Sequence, residues 1–202
     1  AGFMGLWTSI VYSSASDINR ERMYGTLENI FVSPTSFAVI LMGKIVGNTI
    51  WGFISMVLAF FYLTVVFQIS MPAVNVALVV IALIAVVIST SIFAFVMALI
   101  FTLSKQAEAL MNFIEYPVFL ICGFLFPISI LPIWLQPISY LLPPTYAIEL
   151  LRVVTNGQAL LTEINVSFLQ LGTVTLIYFI VGMASYKAVD RKARIDGKLG
   201  VY

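Results

Sequence analysis

The sequence predicts an all-α polytopic membrane protein, and three observations carry that prediction. Mean hydropathy is +1.07. Of the 202 residues, 61% are hydrophobic and only 9% charged, against about 25% charged in a typical soluble domain. Too few polar side chains remain to coat a water-facing surface. Finally, apolar stretches near the roughly 20 residues a spanning helix needs recur along the chain, and a single dense polar island, residues 17–34, interrupts them.

The same composition excludes several classes. Net charge is +1, so no field exists to recruit nucleic acid. There is no histidine and one cysteine, Cys122, which excludes a disulfide within the chain and a Cys/His metal cluster. No basic segment precedes the first apolar run, so no secretory signal is read. The expectation is a chain that begins partway into a membrane span.

Taken in order, residues 1–16 read as a partial span and 17–34 as a water-facing segment on the inner side. Residues 37–67 are a span long enough to tilt, and 74–103 a third span containing an uninterrupted apolar run. The fourth span covers 107–126 and stops before Pro127; the fifth covers 168–186, and 187–202 form a tail. Lys and Arg near spans favour the cytoplasm. Placing Arg20 and Arg22 inside also puts Lys105, Lys187, Arg191, Lys192, Arg194 and Lys198 inside, with Arg152 outside. Five spans here and a cytoplasmic C-terminus lead to an expected six in the intact subunit.

Within the island, Met23, Leu27, Ile30 and Phe31 share one face on a 3.6-residue period. That pattern suits a short helix along the inner membrane surface, stopped by Pro34. An ordinary polar loop carrying positive-inside charge is the other reading. The wording decides between them. Arg20-Glu21-Arg22-Met23-Tyr24-Gly25-Thr26-Leu27-Glu28, then apolar residues and Ser33-Pro34, resembles the cytoplasmic loop of type-2 ABC exporter permeases. Ile40-Leu41-Met42-Gly43-Lys44 resembles that family's opening of the next span. Gly123 to Pro127, Leu131-Pro132, and Leu142-Pro143-Pro144-Thr145-Tyr146-Ala147-Ile148-Glu149-Leu150-Leu151-Arg152 resemble its downstream pattern. The resemblance covers almost the whole chain.

The resemblance implies that Glu21 to Pro34 is a coupling helix that docks on a separate ABC ATP-binding subunit, with Arg20, Glu21, Arg22, Gly25, Thr26, Leu27 and Glu28 at the contact. It implies two copies of that subunit and a second permease subunit, as homo- or heterodimer. ATP and Mg are then bound by the partner, and this chain carries no cofactor. In keeping with that division, no G-x-x-x-x-G-K-[ST] phosphate loop occurs in the chain. Around Gly123, Pro127, Pro132 and Pro143, with Glu149 and Arg152 beyond, the resemblance implies outer re-entrant helices. The physical reading of residues 127–146 agrees: five of the eight prolines fall between Pro127 and Pro144, which forbids one continuous helix. Glu149 and Arg152, three apart, can pair on the helix that follows.

Ionisable groups at membrane depth are costly and often functional. Lys44 is read either as snorkelling to the inner headgroups or as pairing with Glu115 across two spans. Lys105, Glu108, Asn112 and Glu115 form one stripe facing other helices or a water-filled path, with Glu115 either a structural hydrogen-bonding group or part of a pathway or dimer seam. Gly43 and Gly47 form a small-xxx-small pair. Ser89-Thr90-Ser91 either hydrates its helix or bonds back to the preceding turn. The functional expectation is an exporter permease in a bacterial or archaeal cytoplasmic membrane, in contact with lipid and moving an amphipathic or lipid-linked cargo. An intramembrane transferase and a non-transporting assembly component are the competing classes. The absence of histidine and the scattered acids disfavour the transferase.

Overall fold

The structure, a computed structural model, describes residues 2–33, 35–68, 75–103, 107–156 and 160–196. Pro34 and Lys105 lie outside the described residues, as do the side chains of Glu28, Phe31 and Glu108. Every regular element among the described residues is helical.

The first helical stretch comprises α1 (Gly2–Trp7), a π turn (Thr8–Tyr12) and α2 (Ser13–Met23). Helix α3 (Leu27–Val32) follows, then α4 (Phe37–Phe61), which runs into a second π turn, Tyr62–Val66. Next come α5 (Val76–Leu103) and α6 (Ala107–Ile121). The proline-rich segment forms a 3-10 turn (Ile128–Ile130) and α7 (Gln136–Leu141), and the chain ends in α8 (Pro143–Thr155) and α9 (Leu161–Asp196).

Three helical stretches are long and apolar enough to cross a membrane: Phe37–Val66, Val76–Thr102 and Leu161–Val189. Their outward faces carry large apolar side chains such as Val46, Ile50, Trp51, Ile54, Ile81, Ile84, Ile177 and Ile180, all exposed. Continuous apolar surface on that scale belongs against lipid. Ala109–Ile121 is apolar but shorter. The first stretch, expected to end at residue 16, stays helical to Met23, because Ala15 and Ile18 are buried and keep packing it inward.

Two boundaries need correction. The fourth span was expected to reach Phe126; α6 stops at Ile121, and Gly123 turns the chain with φ +84°. The fifth was expected over 168–186; α9 covers 36 residues. It starts early because Ile164 packs with Leu150 and Val154 of α8, which holds the polar Thr162-Glu163 turn in helical register.

Helix α5 is the centre of the bundle, packed against α2, α4, α8 and α9. One core joins Leu6, Trp7 and Ile10 to Phe37, Leu41 and Ile45 of α4 and Phe93, Ala94 and Leu99 of α5. The spacings four apart on α4 are those of a single buried stripe. Phe124, just after α6, stacks on Phe3 with centroids 5.2 Å apart and closes one end of that core. Thr90 bonds back to the Val86 carbonyl at 2.9 Å, the self-satisfying arrangement. Ser89 instead meets Thr175 of α9 at 2.8 Å. Gly43 and Gly47 face open space, so among the described residues the pair packs no helix.

Candidate functional site

The polar island is built as two helices and a turn, which corrects the expected single coupling helix. Helix α2 ends at Met23, and three main-chain bonds close it: Tyr24 N–H to the Arg20 carbonyl (2.9 Å), Gly25 N–H to Arg22 (3.1 Å) and Thr26 N–H to Glu21 (2.9 Å). The last two are the pair that defines a Schellman termination. It requires a left-handed residue at position 25, and Gly25 supplies φ +69°, where a side chain would be strained. Thr26 reinforces the turn by donating its hydroxyl to the Glu21 carboxylate.

Arg22, expected to face a soluble partner, is 7% exposed. Its guanidinium donates to the main-chain carbonyls of Thr102 (2.6 Å) and Phe101 (3.5 Å). Those carbonyls are among the last four of α5, which have no partner within the helix and lie at its negative end. Arg22 therefore caps a transmembrane helix. Leu27 is buried in the central core, and Ile30 packs against it, whereas Met23 is 66% exposed and leaves the predicted apolar face. Among the described side chains of residues 21–30, Met23, Tyr24, Gly25 and Asn29 are exposed.

Lys44 does not pair with Glu115. Its ammonium donates to Glu21 at 2.8 Å, and this, with the Thr26 hydroxyl and then Arg20 nearby, holds the Glu21 carboxyl below the usual carboxylate range. Beside it, the Asn48 amide donates to Asp17 (3.0 Å) and Ser14 (3.1 Å), and Asp17 accepts from Arg20. The Ser9 hydroxyl donates to the Asn48 carbonyl at 2.8 Å. A polar seam thus runs from the first π turn to Thr26, between α2 and α4. Asp17, Asn48 and Ser14 were missed in the sequence. Their signal was present: Asp17 and Glu21, like Lys44 and Asn48, are four apart and complementary.

On α6, Asn112 accepts from the Tyr12 hydroxyl (3.3 Å) and Glu115 from Thr8 (3.4 Å). The described part of the predicted stripe therefore faces the first helical stretch. Both donors come from the π turn, which closes by a bond from Ser13 N–H to the Thr8 carbonyl. A π turn holds an extra residue and so rotates the donors before and after it. Trp7, Tyr12, Phe93, Phe101 and Glu115 line a cleft there.

In the outer segment, Arg152 donates to the Gly123 carbonyl and does not pair with Glu149, which is exposed. The clamp ties α8 to the turn that ends α6. Ser139 donates to the Ile121 carbonyl (2.9 Å), Thr145 to Ser139 (2.6 Å) and Tyr146 to Tyr140 (2.8 Å). Irregular backbone in an apolar setting needs such partners. Pro143 opens α8, where a missing N–H costs nothing. Pro127 and Pro132 flank the 3-10 turn with Pro127 extended at ψ 144°.

A bundle of long apolar helices carrying an exposed turn defines a helical membrane protein. The chain belongs to the ABC-2 type transporter family, matched across residues 1–155. Its curated relatives include "Probable multidrug ABC transporter permease YbhR" of Escherichia coli strain K12 and the protein of that name in strain O157:H7. Each is 23% identical over 189 residues, 91% of this chain and 49% of the relative. The chain thus spans about half the length of the curated relatives it matches. No solved structure matches it significantly.

Proposed function

We propose that this chain is the transmembrane permease subunit of an ATP-driven exporter in a bacterial or archaeal cytoplasmic membrane. It works as a homo- or heterodimer with two copies of an ABC ATP-binding subunit, which bind ATP and Mg. The chain itself performs no hydrolysis. The multidrug description of the curated relatives supports an amphipathic, drug-like or lipid-linked cargo drawn from the membrane.

The observation that carries this reading is the turn after α2. Met23 and Tyr24 are 66% and 77% exposed, on a frame fixed by the Gly25 termination, by Glu21–Lys44 and by Arg22 on α5. Such a turn can seat in a cleft of a soluble partner and pass a push directly to α2, α4 and α5. Intracellular placement of this turn also puts the end of α9, with Lys187 and Arg191, in the cytoplasm, as the positive charge favours.

The test is ATPase activity of the intact permease in lipid with its ATP-binding subunit. Replacing Met23 and Tyr24 by aspartate is expected to lower stimulated activity about tenfold or more while the complex still inserts. Undiminished activity in that variant overturns the coupling role.

A further inference from the structure

Helix α9 is 36 residues long, about 54 Å at 1.5 Å per residue, against about 30 Å of hydrocarbon in a bilayer. Its apolar part is Leu161–Val189, so its C-terminal turns continue past the membrane boundary. Two faces run along it. Ile164, Leu171 and Val189 are buried, and Gly182 lies against Val96 and Phe95 of α5. These positions repeat near whole helical turns and form one inward face. The opposite face carries Leu169, Leu176, Ile180 and Met183, each more than half exposed. Continuing that row by threes and fours reaches Lys187, Arg191 and Arg194. Lys187 and Arg191 are exposed. Asp196, seven residues beyond Val189, falls on the inward register, and Asp190 stands at the edge of the outward face, where it offsets one of the three cations.

We propose that this basic row binds the headgroup phosphates of anionic phospholipid, of the phosphatidylglycerol type, on the outer flank of α9. The register carries the proposal. The lipids whose chains cover Leu176, Ile180 and Met183 present their headgroups to the next turns of the same face, and those turns hold the cations. Positive charge that only sets orientation needs no particular face, whereas here three cations share the lipid face and Asp196 lies opposite. From Lys187 to Arg194 the helix rises about 10 Å, about one Debye length at 0.1 M salt, so the whole row lies within the field of an anionic leaflet. Arginine matches phosphate with a planar fork, and the lysine stem lets its ammonium reach headgroup level from the last turn of the span.

Lipid binding of this kind is independent of the coupling role of the turn, and it can be read directly. A bimane fluorophore is attached at Ala184→Cys, which is exposed one turn before Lys187, in the intact complex reconstituted in phosphatidylcholine vesicles. Quenching by phosphatidylglycerol spin-labelled near the headgroup is compared with quenching by phosphatidylcholine labelled in the same place. At about 0.1 M salt the anionic lipid is expected to associate about threefold or more in preference. That preference should be largely lost in the triple variant Lys187→Gln, Arg191→Gln, Arg194→Gln and kept in Lys192→Gln, which lies off the row. Equal quenching by the two lipids, or a preference that the triple variant retains, overturns the proposal. If the triple variant fails to insert, salt decides: raising it to about 1 M, where screening acts within about 3 Å, should at least halve the preference, and a salt-insensitive preference overturns it. Equal quenching combined with weaker capture of the ATP-binding subunit by the triple variant would assign the row to that subunit and refute lipid binding.

Discussion

Arg22 illustrates how a charged residue in a polar loop can serve the membrane side of the boundary. Its guanidinium reaches two carbonyls at the end of α5 at a site nearly closed to solvent. Removing it leaves those acceptors with water or nothing. Arg22→Ala is therefore expected to destabilise the bundle by about 1–3 kcal/mol, seen as a lower unfolding temperature in detergent. Arg22→Lys should recover part of this, because both carbonyls are reached from one guanidinium nitrogen, Nη2, and an ammonium also donates from a single nitrogen. If Arg22→Ala unfolds at the wild-type temperature, the cap is not structural. Glu21 behaves differently: partly open to water, it is held charged by Lys44 and Thr26, and it fixes the turn more than the bundle.

At the scale of elements, the termination of α2 makes a sharper claim. The left-handed Gly25 has open space where a Cβ would stand, so any penalty for Gly25→Ala is backbone strain, about 1–2 kcal/mol. Gly25→Ala should lower turn-dependent ATPase and loosen amide protection at Thr26, while Asn at 25, which tolerates this conformation, should retain both. Equal protection in the Ala variant would mean the turn is not held this way. The break at Gly25 was legible in the sequence: basic Arg20 and Arg22 before a glycine are the ordinary close of a helix, yet the period of Met23, Leu27 and Ile30 favoured one helix through it. The long spans were equally legible, because composition alone defines them. Arg22's burial was not, since its acceptors lie about 80 residues on. The Lys44 partner stayed open for a related reason: helical depth allowed either snorkelling or Glu115, and only packing of α2 on α4 selects Glu21. In the outer segment the prolines announced short pieces, but the clamp from Arg152 to Gly123 depends on a carbonyl that no pattern marks.

For the whole molecule, the decisive quantity is which end of the bundle faces which compartment. Cys122 is fully buried, so introduced cysteines can be read against a silent background. Tyr24→Cys is expected to react with a membrane-impermeant maleimide in inverted vesicles and not in intact cells, and Asn156→Cys the other way round. Labelling of both from one side would refute the proposed orientation. The Glu21–Lys44 bridge also bears on how the chain is made. A lysine inside a span costs about 2.5–3.5 kcal/mol to insert alone, but here its counter-ion precedes it by 23 residues. Synthesis runs from the N-terminus, so Glu21 has already left the ribosome when α4 enters the bilayer. The acid acts as a waiting escort: α4 need never meet lipid as a lone cationic helix, and the two segments enter as a neutral pair.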